Sequence, residues 1–149
     1  MKVGQIMNRN VVSIKPDTPV NEVAKKLIQY NLTGVPVIDD KNEIVGIVTE
    51  FDLIRRKGVV DIPAYINILD SFLYLEDPAE VEEELRKMIG ATAKEVMTKE
   101  VVTIDPEADI SELAELIEDK HINPVPVVKD GKLVGIVSRA DIVRLLARE

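Results

Sequence analysis

The feature that most limits how this chain can fold is an internal duplication. Residues Val3 to Asp40 align with Ala93 to Asp130 without a gap, and Glu43 to Arg56 align with Lys132 to Leu145 after a one-residue shift. About a third of the paired positions are identical. A unit of about 50 residues buries too little surface to fold alone, so the two copies are expected to pack together about a pseudo-twofold axis, with paired clefts between them. The shift falls in a turn, Asp39-Asp40-Lys41-Asn42 in one copy and Lys129-Asp130-Gly131 in the other. Asp-Gly between two apolar runs predicts a two-residue hairpin loop.

Each copy presents its elements in the same order. Val11 to Ile14 and Val101 to Ile104 are short β-branched runs that predict strands, stopped by Pro16 and Pro106. Thr18-Pro19 reads as an N-cap followed by a first-turn proline, and Val20, Val23, Ala24, Leu27 and Ile28 then fall on one helical face. Ile110, Leu113, Ala114 and Ile117 repeat that face. Val35 to Ile38 and Val125 to Val128 read as strands whose prolines belong at an edge or a bulge. The hairpins return through Ile44 to Val48 and Leu133 to Val137, and a last helix follows. The predicted unit is β-α-β-β-α, and the predicted class is α/β of the α+β kind.

The junction of the last strand and helix carries the chemistry. Gly46-Ile47-Val48-Thr49-Glu50-Phe51-Asp52 recurs as Gly135-Ile136-Val137-Ser138-Arg139-Ala140-Asp141. A hydroxyl three places before an aspartate at a helix start is the signature of a capping box. The same helix start leaves backbone N–H groups that attract an anion, a phosphate above all. The two readings are compatible, since a capping hydroxyl can turn to a ligand oxygen.

Residues 58–92 belong to neither copy. Ile62, Tyr65, Ile66, Leu69, Phe72 and Leu73 form a helical apolar stripe, and Asp77-Pro78 opens a second helix with Val81, Leu85, Met88 and Ile89 on its apolar face. The expected division is therefore a first repeat over 1–57, a helical connector over 58–92 and a second repeat over 93–149. The connector stripe either covers the repeat core or meets a second chain.

Composition removes several classes of function. The chain has no cysteine, which excludes a disulfide framework, a thiol nucleophile and a thiolate zinc site. Its net charge of −8 argues against nucleic acid, whose binding depends on lysine and arginine neutralising phosphates. No apolar run approaches the roughly 20 residues of a bilayer span, and the N-terminus lacks a secretory apolar region, so a cytoplasmic protein without a membrane partner is expected. Neither a phosphate-binding G-x-x-x-x-G-K-[ST] loop nor a base–nucleophile pairing is visible, which points to binding rather than catalysis, with no metal centre and no required cofactor. His121 is read as a cation complementing a helix end, Glu82 to Glu84 as a solvated face, and Arg55 to Lys57 as a helix terminus.

Two ordered sets of V-x-[ST]-I-x-P, V-P-V and G-I-V-[ST]-x-x-D resemble a tandem pair of CBS domains, the Bateman module, over both repeats. The resemblance implies a stand-alone regulatory or sensor module that binds AMP, ADP, ATP or S-adenosylmethionine between its repeats. It further implies a homodimer and an unknown regulated protein. A second reading is a dimerisation or partner-interaction protein whose clefts are vestigial.

Carried onto this sequence, the resemblance assigns Asp52 and Asp141 to the ribose hydroxyls, Thr49 and Ser138 to phosphate, and Ile47 and Ile136 to adenine. Each cleft is composite in the family. Ile136, Ser138, Arg139 and Asp141 would be joined by Ser13, Ile14, Asp17, Thr18, Thr33, Gly34 and Val35. Ile47, Thr49 and Asp52 would be joined by Thr103, Ile104, Asp105, Asn123, Pro124 and Val125. Arg139 attracts phosphate where Glu50 repels it, so the Ser138/Asp141 cleft is expected to be the better phosphate site and the Thr49/Asp52 cleft the weaker, or one suited to a less anionic ligand.

Overall fold

A computed structural model of the chain describes residues 1–54 and 91–148. The elements in order are α1 (Val3–Ile6), α2 (Val20–Gln29), β1 (Gly34–Ile38), β2 (Ile44–Thr49), α3 (Glu50–Ile54), α4 (Ala93–Val96), α5 (Ile110–Lys120), β3 (Val125–Lys129), β4 (Lys132–Val137) and α6 (Arg139–Ala147). The expected helical hairpin over most of 58–92, the basic run Arg55 to Lys57 and the acidic run Glu82 to Glu84 lie outside the described residues. No helix among the described residues is long and apolar enough to cross a membrane.

The duplication is visible in both sheets. β1 pairs antiparallel with β2, and β3 with β4, and each pair slips register once, at Val37/Ile38 and at Val127/Val128. Asp130 and Gly131 both take positive φ, 52° and 79°, in the two-residue loop the sequence predicts. The longer turn in the first copy is held by Asp39, whose Oδ1 accepts from the backbone N–H of Lys41 (2.9 Å) and Glu43 (3.0 Å).

The strands expected over 11–14 and 101–104 shrink to one parallel bridge each, Ile14 to Val37 and Ile104 to Val127. Proline is the reason. Ile14 donates to the Pro36 carbonyl at 3.0 Å. In an extended strand the N and O of one residue face the same edge, so Pro36 has no N–H to offer there. Pro16 closes the segment two residues later.

Two short helices that the periodicity does not reveal, α1 and α4, exchange between the copies. Val3 is fully buried in the second core with Leu113, Val125, Val127 and Val137. Ala93 is buried in the first with Ile14, Val23, Leu27, Val35, Val37 and Val48. Backbone hydrogen bonds fix the exchange: Val20 donates to Ala91 and Ala93 to Thr18, while Val3 donates to Ala108 and Ile110 to Met1. This is why the expected cap at Thr18 moves to Pro19, the residue that precedes α2. The orphan N–H of the first turn is satisfied by a carbonyl of the exchanged segment, and no capping side chain is required. Outside α5, Asp109 is paired with Lys2 of the exchanged segment at 2.9 Å. The lysine's hydrogen bond and charge hold the Asp109 carboxyl below the usual range, and the aspartate raises Lys2 in return.

The exchange also explains the signature glycines. A β-carbon at Gly46 would overlap the Met97 sulfur, and one at Gly135 would lie 2.5 Å from the Met7 sulfur. Each exchanged segment therefore runs across the opposite copy's last strand, where Thr98 pairs with Ile47 and Asn8 with Ile136. Two helical positions expected in the cores face out instead. Ile28 is 82% exposed and Ala114 is exposed, so the buried stripe of each helix is narrower than the apolar pattern suggests.

Candidate functional site

The turn from β2 into α3 forms its capping box from Thr49 and Asp52. Asp52 Oδ2 accepts from the Thr49 N–H at 2.8 Å and from its hydroxyl at 3.1 Å, and the Asp52 N–H reaches the Thr49 hydroxyl at 3.4 Å. A third donor arrives from the exchanged segment, Thr98 Oγ1 to Asp52 Oδ1 at 2.8 Å. Asp52 is the buried charged residue among those described, at 8% exposure. A buried carboxylate is tolerated when donors surround it, as they do here.

The turn from β4 into α6 repeats the box with a different third partner. Asp141 Oδ2 accepts from the Ser138 N–H at 2.7 Å and hydroxyl at 3.1 Å. Its Oδ1 takes Arg144 Nη1 at 3.1 Å. The exchanged segment contributes no hydroxyl, because Asn8 stands where Thr98 does and its Oδ1 accepts from the Asn10 N–H.

The backbone N–H of the first residue of each last helix is also satisfied, by an acceptor of its own copy. Glu50 N–H donates to the Thr33 carbonyl at 3.0 Å. Arg139 N–H donates to Asn123 Oδ1 at 2.9 Å, and Asn123 Nδ2 donates to Thr33 Oγ1 at 3.2 Å. The capping reading of the signature therefore dominates at both helix starts. Several of the N–H groups that an anion would use already have protein acceptors.

A cleft of about 780 Å³ opens at the Thr49/Asp52 side. Its lining combines Ile47, Thr49, Asp52 and Thr33 from the first copy with Thr98, Val101, Val102, Ile122, Asn123 and Pro124 from the second. Four carboxylates face it, from Glu50, Asp52, Glu100 and Glu118, against the one guanidinium of Arg139 among the described lining residues. Such a cleft combines apolar side chains, hydroxyl and amide groups and mostly negative charge.

Ile47, Thr49, Asp52, Asn123 and Pro124 line this cleft together. Thr103, Ile104, Asp105 and Val125 do not: Ile104 and Val125 belong to the second core, and Asp105 Oδ1 is taken by the Glu107 N–H. Ile14 and Val35 are buried in the first core in the same way. Gly34 meets the other copy, where a β-carbon would lie 2.9 Å from Pro124 Cδ. Thr18 Oγ1 accepts from Lys15 N–H, Asp17 is exposed, and Ser13 and Ile136 are partly buried. Arg139 and Thr33, expected beside Ser138 and Asp141, line the Thr49/Asp52 cleft. Arg139 begins α6 next to Asn123, whose side chain also reaches Thr33 of the other copy.

The family model for the CBS domain matches residues 3–58 and 93–148. The chain belongs to the CBS-domain family. The chloroplastic CBS domain-containing protein CBSX2 of Arabidopsis thaliana is 30% identical over 149 residues, covering 95% of this chain and 62% of its own length. An uncharacterized protein of Methanopyrus kandleri, MK0525, is 28% identical with 97% and 62% coverage, so the chain spans about three fifths of these relatives. Among solved structures, CBSX2 in complex with AMP superposes with a TM-score of 0.72 at 28% identity, over 99% of this chain and 97% of that one. The CBS pair of protein MJ0100 in complex with 5′-methylthioadenosine and S-adenosylmethionine gives 0.71 at 25% identity, with the same coverage.

The CBS signature thus accounts for Thr49 and Asp52, but Thr98, Val101, Val102 and His121 were missed as lining residues. Thr98 follows Met97, whose contact with Gly46 brings the hydroxyl over the other repeat. A methionine paired with a signature glycine across the duplication was the available clue. His121 ends α5 in a left-handed conformation, as its terminal position suggests, and it also faces the cleft.

Proposed function

We propose that this CBS pair is a regulatory module that binds an adenosine-containing ligand between its repeats and signals by a change of shape or association. The observation that carries the reading is Asp52, a buried carboxylate at the wall of an apolar cleft. A carboxylate is a suitable acceptor for sugar hydroxyls, and Ile47, Ile122 and Pro124 offer the faces an adenine would lie against. The AMP complex of CBSX2 and the two adenosine ligands of MJ0100 support that ligand class. The Ser138/Asp141 turn is the second candidate position.

Charge narrows the proposal. With four carboxylates and one guanidinium among the described lining residues, the Thr49/Asp52 cleft suits AMP or a nucleoside without phosphate better than a polyphosphate. The ligand acts as an effector, with no cofactor and no catalysis, and exerts its effect through unequal affinity for two arrangements of the repeats. A regulated protein partner and a cytoplasmic setting complete the reading.

A homodimer is the proposed assembly. Ile54 and Val143 occupy equivalent positions of α3 and α6 and are 52% and 62% exposed, with Phe51 and Leu146 exposed beside them. Matched apolar residues on the last helices of both repeats suit an interface with a second copy.

Fluorescence thermal shift with AMP, ATP and 5′-methylthioadenosine tests the class of ligand. Stabilisation by at least one supports it, and none by any of the three contradicts it.

A further inference from the structure

Resting on the adenosine reading above, we infer that Thr98, delivered to the first repeat by the exchanged segment, reads the ribose diol together with Asp52. A carboxylate has about four acceptor positions. Asp52 gives two on Oδ2 to the Thr49 N–H and hydroxyl and one on Oδ1 to Thr98. One position therefore remains among these contacts, whereas a vicinal diol has two hydroxyls to place.

Thr98 supplies the missing acceptor. Its hydroxyl proton is directed to Asp52 Oδ1 at 2.8 Å, and among the described residues no donor occupies the lone pairs of the Thr98 oxygen, which lines the same cleft as Asp52. The two oxygens lie next to each other because they share that hydrogen bond. One ribose hydroxyl donates to Asp52 Oδ1 and its neighbour to Thr98 Oγ1. The backbone of Thr98 is fixed by reciprocal hydrogen bonds with Ile47, N to O at 2.9 Å and O from N at 3.0 Å, so the hydroxyl is held where the ligand arrives.

The other repeat lacks this device. Its third partner, Arg144, is a donor only and cannot accept from a sugar. Asn8, at the position equivalent to Thr98, turns its oxygen to Asn10. The two clefts therefore read the sugar differently, and strict selection of a ribose diol belongs to the Asp52 side.

The test is a cycle between the protein hydroxyl and the ligand hydroxyls, measured by calorimetry in an Asp141→Ala background so that the first cleft alone reports. AMP, 2′-deoxy-AMP and 3′-deoxy-AMP are titrated into the parent, Thr98→Val and Thr98→Ser proteins. The expected result is that Thr98→Val weakens AMP about tenfold, as for a lost hydrogen bond. One of the two deoxy analogues should be about as weak on the parent and insensitive to Thr98→Val, and Thr98→Ser should restore AMP binding. Equal weakening of all three ligands by Thr98→Val would assign Thr98 a structural role only and overturn the inference, as would unchanged AMP affinity. Failure of AMP to bind the parent and the unsubstituted protein alike would instead sink the adenosine reading itself.

Discussion

Replacing Gly46 by alanine should destabilise the protein through Met97, a residue distant in sequence, and the size of the effect follows from the exchanged segment. The new methyl would occupy the space of the Met97 sulfur and lie 2.8 Å from Met97 Cγ, so Met97 must leave its rotamer or the strand must shift. Overpacking of this kind costs about 1–3 kcal/mol. Met97 is partly buried against the first core, and Met97→Ala alone should cost about 2 kcal/mol, the low end for a core methionine. In the double variant the methyl fills part of the space the methionine vacates, so the two costs should fall short of their sum by about 1–2 kcal/mol. Urea unfolding at a single protein concentration reads this out as changes in midpoint with an unchanged slope. Gly131→Ala is the control: its φ of 79° is unfavourable for alanine, but nothing lies within 4 Å, so it should show no coupling to Met97. If Gly46→Ala and Met97→Ala prove additive to within about 0.5 kcal/mol, the crossing of the two segments is wrong.

Three further outcomes are expected. The carboxyls of Asp39, held low chiefly by the Glu43 N–H, and of Asp109, held low by Lys2, favour the folded state above the ordinary carboxylate range. Because their folded values are depressed, that stability is present at neutral pH and lost as pH falls below about 4, through the folded values. Asp39→Asn with Asp109→Asn should flatten the acid limb of a stability–pH profile, and an unchanged limb would refute the assignment. In the Thr49/Asp52 cleft, Arg139→Glu should weaken AMP while leaving 5′-methylthioadenosine within about threefold, since one guanidinium–phosphate contact is lost; equal loss of both in calorimetry would count against a phosphate contact. Val143→Glu should shift sedimentation from dimer toward monomer, and an unaltered dimer would move the interface elsewhere.

The sequence made the hairpins and the last helices legible because each rests on a local cue. Asp130-Gly131 allows only a tight loop, and Thr49 or Ser138 three residues before an aspartate marks a helix start. The exchange of α1 and α4 was not legible, because four-residue helices leave no period to detect and their partners are long-range carbonyls such as Ala91 and Ala108. The same exchange limits what the sequence says of the site. Asp52 was identified from its motif, yet the hydroxyl that orients it comes from Thr98, outside the signature altogether. Arg139 was identified by charge and assigned to the Ser138/Asp141 cleft; that it also lines the Thr49/Asp52 cleft depends on its contact with Asn123, which sequence order does not show. Ile14, Val35, Ile104 and Val125 were assigned to the clefts through the CBS resemblance, and the structure packs their β-branched side chains in or against the two cores.

The most direct test of the account is calorimetric titration of the protein with AMP and S-adenosylmethionine, repeated on Asp52→Ala and Asp141→Ala. The account predicts that at least one ligand binds with an affinity on the order of micromolar and that Asp52→Ala abolishes or greatly weakens it. Absence of binding to the unsubstituted protein, or binding indifferent to Asp52→Ala, would contradict it.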